Sequence, residues 1–136
     1  MSKEHVDLAR QAVENWNRGD VDAMIESSTP DFEFTPAVAD GVEGGGAVHG
    51  PDEFRRFFAG LNETWESFRI EAEDFQEVGE RVLIRGKVVA KGSGSGIELD
   101  QPIFAVCSFQ GGKGSWMHTF LDETAAVEAA SKEVVR

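Results

Sequence analysis

Pro51-Asp52-Glu53-Phe54-Arg55-Arg56-Phe57-Phe58-Ala59-Gly60-Leu61-Asn62-Glu63-Thr64-Trp65 is the stretch on which the fold turns. Phe54, Phe57, Phe58, Leu61 and Trp65 recur at i, i+3, i+4, i+7 and i+11, so a helix here carries one bulky apolar stripe. Pro51 suits the first helical position, and Asp52 and Glu53 stand near the positive end of the helix dipole. Such a stripe needs a surface to cover. The sequence that follows supplies one, because from residue 67 onward the period switches to two. Ile70, Ala72, Asp74, Gln76 and Val78 alternate with Arg69, Glu71, Glu73, Phe75 and Glu77. After Gly79-Glu80, Val82, Ile84, Gly86, Val88 and Ala90 alternate with Leu83, Arg85, Lys87 and Val89.

Further along, Gly92-Ser93-Gly94-Ser95-Gly96 reads as a hairpin loop, and an apolar strand is expected over 97–109. Gly111-Gly112-Lys113-Gly114 turns into a last strand over 115–121, and Asp122 is placed to cap an Ala-rich terminal helix. Towards the N-terminus, Val6, Ala9, Val13 and Trp16 predict a helix over 3–17. Gly19 ends it and Asp20 caps a second helix over 21–28. Asp31-Phe32-Glu33-Phe34-Thr35 alternates as a short strand, and the glycine-rich segment 37–50 reads as a loop able to act as a lid. Tight turns between successive strands impose antiparallel pairing. The expected fold is α+β, a cone-shaped α+β roll over residues 1–136. Three N-terminal helices pack on a strongly bent antiparallel sheet, and a short C-terminal helix follows. The space between a helical stripe and a bent sheet is a natural place for a small molecule.

The composition narrows the function classes. A net charge of −12, with acidic residues spread along all 136 positions, offers no basic stripe for nucleic acid and disfavours anionic membrane surfaces. The one cysteine, Cys107, sits in an apolar run and excludes an internal disulfide. Met1-Ser2-Lys3-Glu4-His5 lacks the apolar run of a secretory leader, so a reduced, cytoplasmic setting is expected. Ten phenylalanines and three tryptophans, with no tyrosine, predict a greasy pocket poor in hydroxyl donors. The three histidines are far apart in sequence and show no metal-ligand spacing, so no metal is expected. Flavin and nicotinamide fingerprints are absent, and no cofactor is expected.

Within the last strand, Trp116, His118, Phe120 and Asp122 share one face, taken here to point inward. A histidine on such a face can transfer protons near neutral pH, or can be an inert core group. His118 is therefore the candidate catalytic residue, with Asp100 on the preceding strand a weaker one. Trp16, Phe34, His49, Phe54, Phe58, Trp65, Phe104 and Trp116 are the candidate ligand-binding residues, His49 closing the loop over the mouth. The other sheet face carries Phe75, Leu83 and Val89 among charged residues, which predicts a homodimer through the sheet.

In order along the chain, Trp16-Asn17-Arg18-Gly19-Asp20-Val21-Asp22-Ala23, His49-Gly50-Pro51-Asp52-Glu53-Phe54, Gly96-Ile97-Glu98, Gly111-Gly112-Lys113 and Phe120-Leu121-Asp122 resemble the SnoaL-like family of the nuclear transport factor 2-like superfamily, the cystatin-like α+β roll. The resemblance implies the same cone and a polyketide cyclase-like use of it. In ketosteroid isomerases of that superfamily a tyrosine, an aspartate base and a protonated aspartate do the chemistry. The corresponding positions here hold Ala12, Thr35 or Pro36, and Phe104, which excludes that mechanism. The limonene epoxide hydrolase branch has an aspartate two residues after a tryptophan on its last strand, where this chain has His118. The implied function is binding of a small hydrophobic molecule, with His118 as acid/base in a cofactor-independent isomerase, cyclase, dehydratase or epoxide-type hydrolase. A non-catalytic binding or dimerisation module is the alternative.

Overall fold

Helical and extended periods resolve into a bent six-stranded sheet with helices on both sides. The computed structural model describes residues 2–36, 47–94 and 96–131. In chain order the elements are α1 (Ser2–Arg18), α2 (Val21–Glu26), β1 (Ser28–Thr35), β2 (Val48–His49), α3 (Gly50–Thr64), β3 (Trp65–Val78), β4 (Arg81–Gly92), β5 (Glu98–Gln110), β6 (Lys113–Phe120) and α4 (Glu123–Ser131). The sheet order is β2-β1-β6-β5-β4-β3. Of the loop expected over 37–50, residues 37–46 lie outside the described residues, whereas Val48–His49 form β2 and Gly50 begins α3.

The first turn of the chain works as its residues predict. Gly19 takes φ +67°, a conformation open to glycine. There the Gly19 N–H donates to the Trp16 carbonyl at 2.9 Å and the Asp20 N–H to the Asn15 carbonyl at 3.1 Å. Asp20 Oδ1 then accepts from the Ala23 N–H at 3.0 Å and caps α2. Just before the turn, the Asn17 amide holds β3. Its Nδ2 donates to the Ile70 carbonyl and its Oδ1 accepts from the Ile70 N–H, both at 2.9 Å. β3 is the edge strand, so this pair satisfies backbone groups that no neighbouring strand reaches.

Strands β3 to β6 pair antiparallel in sequence order, as tight turns require. The expectation of a wholly antiparallel sheet is corrected at β1. That strand runs parallel to β6, with Phe34 opposite Met117 and Thr35 opposite His118. No tight turn joins the two, since α3 and four strands lie between them, so the turn argument does not constrain their direction.

One sheet face meets α1 to α3. Ala9 of α1 packs on Val82, Ile84 and Cys107, with Val6, Val13, Phe75 and Met117 around them. Phe54, Phe58 and Leu61 of α3 pack with Met24, Phe32 and Phe34. On the opposite face Ala126 and Ala130 of α4 cover Leu83 and Val106, flanked by Phe104, Trp116 and Phe120. Val82, Leu83 and Ile84 are all buried because β4 is covered on both faces there. The helices are therefore not segregated to one side.

The face predicted for Phe75 is also corrected. β3 slips register between Ala72 and Asp74 opposite Gly86 and Arg85, leaving Glu73 as the extra residue of a bulge. Beyond it the alternation is inverted, so Phe75 joins Ile70 and Ala72 on the α1 side, where Arg10 stands 4.5 Å above its ring. Gly86 makes room for this bend, for a Cβ there would collide with the Glu71 carbonyl oxygen and lie 2.9 Å from Ala72 Cα. Leu83 lies beneath α4, so Val89 alone remains of the three apolar residues assigned to an open outer face.

Candidate functional site

Between α1, α3 and the concave sheet face lies a cavity of about 180 Å3. Leu8, Ala12 and Trp16 reach it from α1 because they recur every four residues on one face of that helix. Phe54 and Phe57 come from α3, and Phe32 and Phe34 alternate inward from β1. Phe68, Ile70, Ile103, Ala105 and Met117 line the sheet side. The aromatic wall is interlocked by edge contacts: Trp16 meets Phe58 at 5.2 Å and 87° between ring planes, and Phe34 meets Phe57 at 5.5 Å. Those edge-to-face arrangements fix the ring orientations that shape the space.

Its polar groups are few. Ser27, Ser28, Ser108, Thr119 and Gln11 line it among the described residues, and Glu33 borders it. The Glu33 carboxylate lies 3.5 Å from His49 Nε2. Burial pushes the Cys107 thiol up to about 12, so it stays protonated at neutral pH and is a poor nucleophile. Among the described residues, no group of His, Cys, Asp or Glu side chains is arranged to hold a metal ion.

Of the residues singled out in the sequence, Trp16, Phe34 and Phe54 line the cavity directly. Phe58 and Trp65 belong to the core cluster behind that wall. Trp116 borders the cavity, although its ring belongs to the α4 side and lies 4.6 Å below the Arg81 guanidinium. Phe104 is on the α4 side as well, a correction to its expected place. His49 is exposed at the start of α3. Its Nδ1 lies 3.7 Å from Glu53 Oε1, and its backbone N–H donates to the same oxygen at 2.8 Å.

His118 does not face the cavity. It stands opposite Val106, whereas its neighbours Met117 and Thr119 stand opposite Cys107 and Ala105. Val106 is covered by α4, so His118 shares the α4 side of the sheet. The imidazole lies flat on Phe120, 4.2 Å between centroids and 7° between planes, with Trp116 at 5.9 Å. Burial holds its pKa below the ordinary histidine value, and the Glu33 charge opposes that shift.

Asp100 is exposed and lies 3.7 Å from Lys87 Nζ. It shares β5 with Val106, the residue opposite His118, and stands six positions before it. That is roughly 20 Å at strand rise. Two further carboxylates of the molecule are engaged as well: Asp74 with Arg85 at 3.2 Å, and Asp122 with the Ala125 N–H at 2.9 Å as the cap of α4.

Several lining residues escape a reading of the sequence. Phe32, Phe68 and Ile70 are legible from alternation alone. Met117 and Thr119 are not, because the strand's parity is clear while its inward face is not. The usable signal is the alanine pair of α4, a helix too small-faced to do anything but lie close against a sheet.

The description "SnoaL-like domain" matches the chain over residues 9–115. No curated protein matches its sequence. Among solved structures it is similar to an NTF2-like protein of unknown function from Burkholderia pseudomallei K96243, at 21% identity and TM-score 0.77, covering 95% of this chain and 98% of that one. It is also similar to a candidate SnoaL-like polyketide cyclase from Jannaschia sp. CCS1, at 21% identity and TM-score 0.75, covering 98% and 95%. A third is SalBIII, an epoxide hydrolase/cyclase-like enzyme of pyran ring formation in salinomycin, at 18% identity and TM-score 0.73, covering 90% and 93%.

Proposed function

The chain belongs to the SnoaL-like family, and from that premise we propose that it binds a small hydrophobic molecule in the cavity between α1, α3 and the sheet. The observation that carries the proposal is the cavity itself, about 180 Å3 with walls built mainly of aromatic and aliphatic side chains. An apolar cavity of about 150 Å3 already admits benzene or xenon. A ligand with the bulk of one or two fused rings fits that scale. The ring contacts around Trp16 and Phe34 hold the walls in a defined shape, which favours a rigid ligand over a flexible chain.

A second reading is supported by the neighbours named as cyclases. Any reaction in the cavity would proceed by holding the substrate in a reactive fold. Of the titratable residues among the described lining, Glu33 alternates with the inward Phe32 and Phe34, so its carboxylate is turned to the other face, and Cys107 remains. The first is paired with His49 and the second stays protonated. The support for His118 as acid/base in this space rested on an inward orientation that the strand register removes.

A thermal-shift screen with uncharged aromatic and terpenoid compounds tests the binding reading. A ligand at a hundred times its Kd should raise stability by about 2.7 kcal/mol. Ala12→Phe places a ring in the cavity and should abolish that gain while the variant stays folded. Failure of every compound, or a gain unchanged in Ala12→Phe, defeats the proposal.

A further inference from the structure

Resting on the binding reading, we propose that the Trp16 indole N–H is the polar anchor of the cavity. The ligand it fits carries a neutral hydrogen-bond acceptor, such as a ketone carbonyl, on its ring body. Indole donates and does not accept, which sets the kind of group it takes. The setting of this nitrogen and the engagement of the other polar groups lead there.

Trp16 stands in the last turn of α1 and lines the cavity. Three other rings hold its own: Phe58 at 5.2 Å and 87°, Phe68 at 5.9 Å and 60°, and Phe34 at 6.0 Å and 46°. The next residue, Asn17, bonds both backbone groups of Ile70, which lines the same space, so α1 is pinned to the sheet beside the ring. The Trp16 nitrogen has no hydrogen-bond partner among the described residues. The Trp65 nitrogen lacks one too, but it is sealed within the core behind the wall, whereas that of Trp16 is not sealed. A donor fixed among apolar rings costs free energy while unmet and adds affinity for a ligand that meets it.

The other protons of the lining are engaged or lie elsewhere. Ser27 and Ser28 both donate to the Met24 carbonyl, at 3.1 Å and 2.8 Å. Thr119 donates to the Thr35 carbonyl at 3.1 Å. Gln11 donates to Asn15 Oδ1 at 3.1 Å and is an exposed residue. The Cys107 thiol is a weak donor. Two further donors lack partners among the described residues, the Ser108 hydroxyl and the Trp116 indole N–H. Ser108 shares its face of β5 with Val106 and stands opposite Trp116, whose ring packs on the α4 side. Ser108 Oγ is sealed there, and the Trp116 ring lies 4.6 Å below the Arg81 guanidinium. Trp16 therefore supplies the strong free donor of the aromatic wall.

Isothermal titration calorimetry with indane and 1-indanone tests the assignment, since the two share one fused-ring body and differ by a carbonyl. The quantity compared is the ratio of their affinities, in the native protein and in Trp16→Phe, which keeps a ring and removes the N–H. That ratio should shift against indanone by about fivefold in the variant, the weight of one neutral hydrogen bond. An unchanged ratio overturns the anchor and leaves the binding reading intact. So does a ratio that shifts in Ser108→Ala and not in Trp16→Phe. Two silent titrations of the native protein overturn both. Infrared spectroscopy of indanone bound to the native protein stands even where Trp16→Phe fails to fold. The carbonyl stretch should lie below its value in cyclohexane, and an unshifted stretch overturns the anchor.

Discussion

His118 illustrates how one residue's environment sets its chemistry. Flat against Phe120 and under partial cover of the α4 side, its ring is easier to keep neutral than to charge. A histidine whose folded pKa is lowered leaves stability at its full value above the unfolded pKa, near 6.5. As pH falls below that point the unfolded chain takes up the proton first, and stability declines until the folded pKa is passed. We expect the melting temperature of the protein to fall more steeply between about pH 7.5 and 5.5 than that of His118→Phe, which keeps a ring on Phe120. Parallel slopes for the two proteins would show that the imidazole contributes nothing to the pH dependence. The same residue shows what can be read from a strand in isolation. That His118 shares a face with Trp116 and Phe120 follows from alternation; that this face meets α4 does not.

Among the elements, β3 and β4 carry the bend that makes the cavity concave. The bulge at Glu73 and the missing side chain at Gly86 are two halves of one device: the edge strand folds over a position where no Cβ intrudes. Gly86→Ala should therefore cost about 2–3 kcal/mol of stability by overpacking against backbone, measured by urea denaturation. A loss within experimental error would mean that the bulge relaxes freely. The order and type of the main elements are legible because their apolar periods are long: the stripe from Phe54 to Trp65 and the alternation from Arg69 to Ala90 leave no alternative. The bulge is not legible. It breaks the period within Glu71-Ala72-Glu73-Asp74, where the single alanine is too small an apolar marker to record the slip. Alternation places Phe75 on the wrong face for that reason.

For the whole molecule the excess of acidic groups matters most. A net charge of −12 on 136 residues makes the compact state repel itself, and dissolved salt screens that repulsion over a Debye length of about 10 Å at 0.1 M. Raising sodium chloride from about 10 mM to about 300 mM should increase the melting temperature. A decrease would show that ion pairs such as Arg85 with Asp74 and Glu123 outweigh the repulsion. No described helix is long and apolar enough to cross a membrane.

The candidate site divides along the same line. Trp16, Phe34 and Phe54 are recognisable from the sequence because each lies on a helix or strand whose apolar side is unambiguous. Phe104 and His118 are misplaced by it because β5 and β6 carry apolar residues on both faces, and local sequence then fails to distinguish inside from outside. Periodicity is a property of neighbouring residues, so the chain alone determined the order and type of the main elements and, within each unbroken run, which side chains travel together. The identity of the face that encloses the cavity depended on contacts between distant segments. The docking of α4 on Leu83 and Val106, the bulge over Gly86 and the parallel seam between β1 and β6 settled it. Packing energy is shared across those segments, and no single stretch of the sequence contains it.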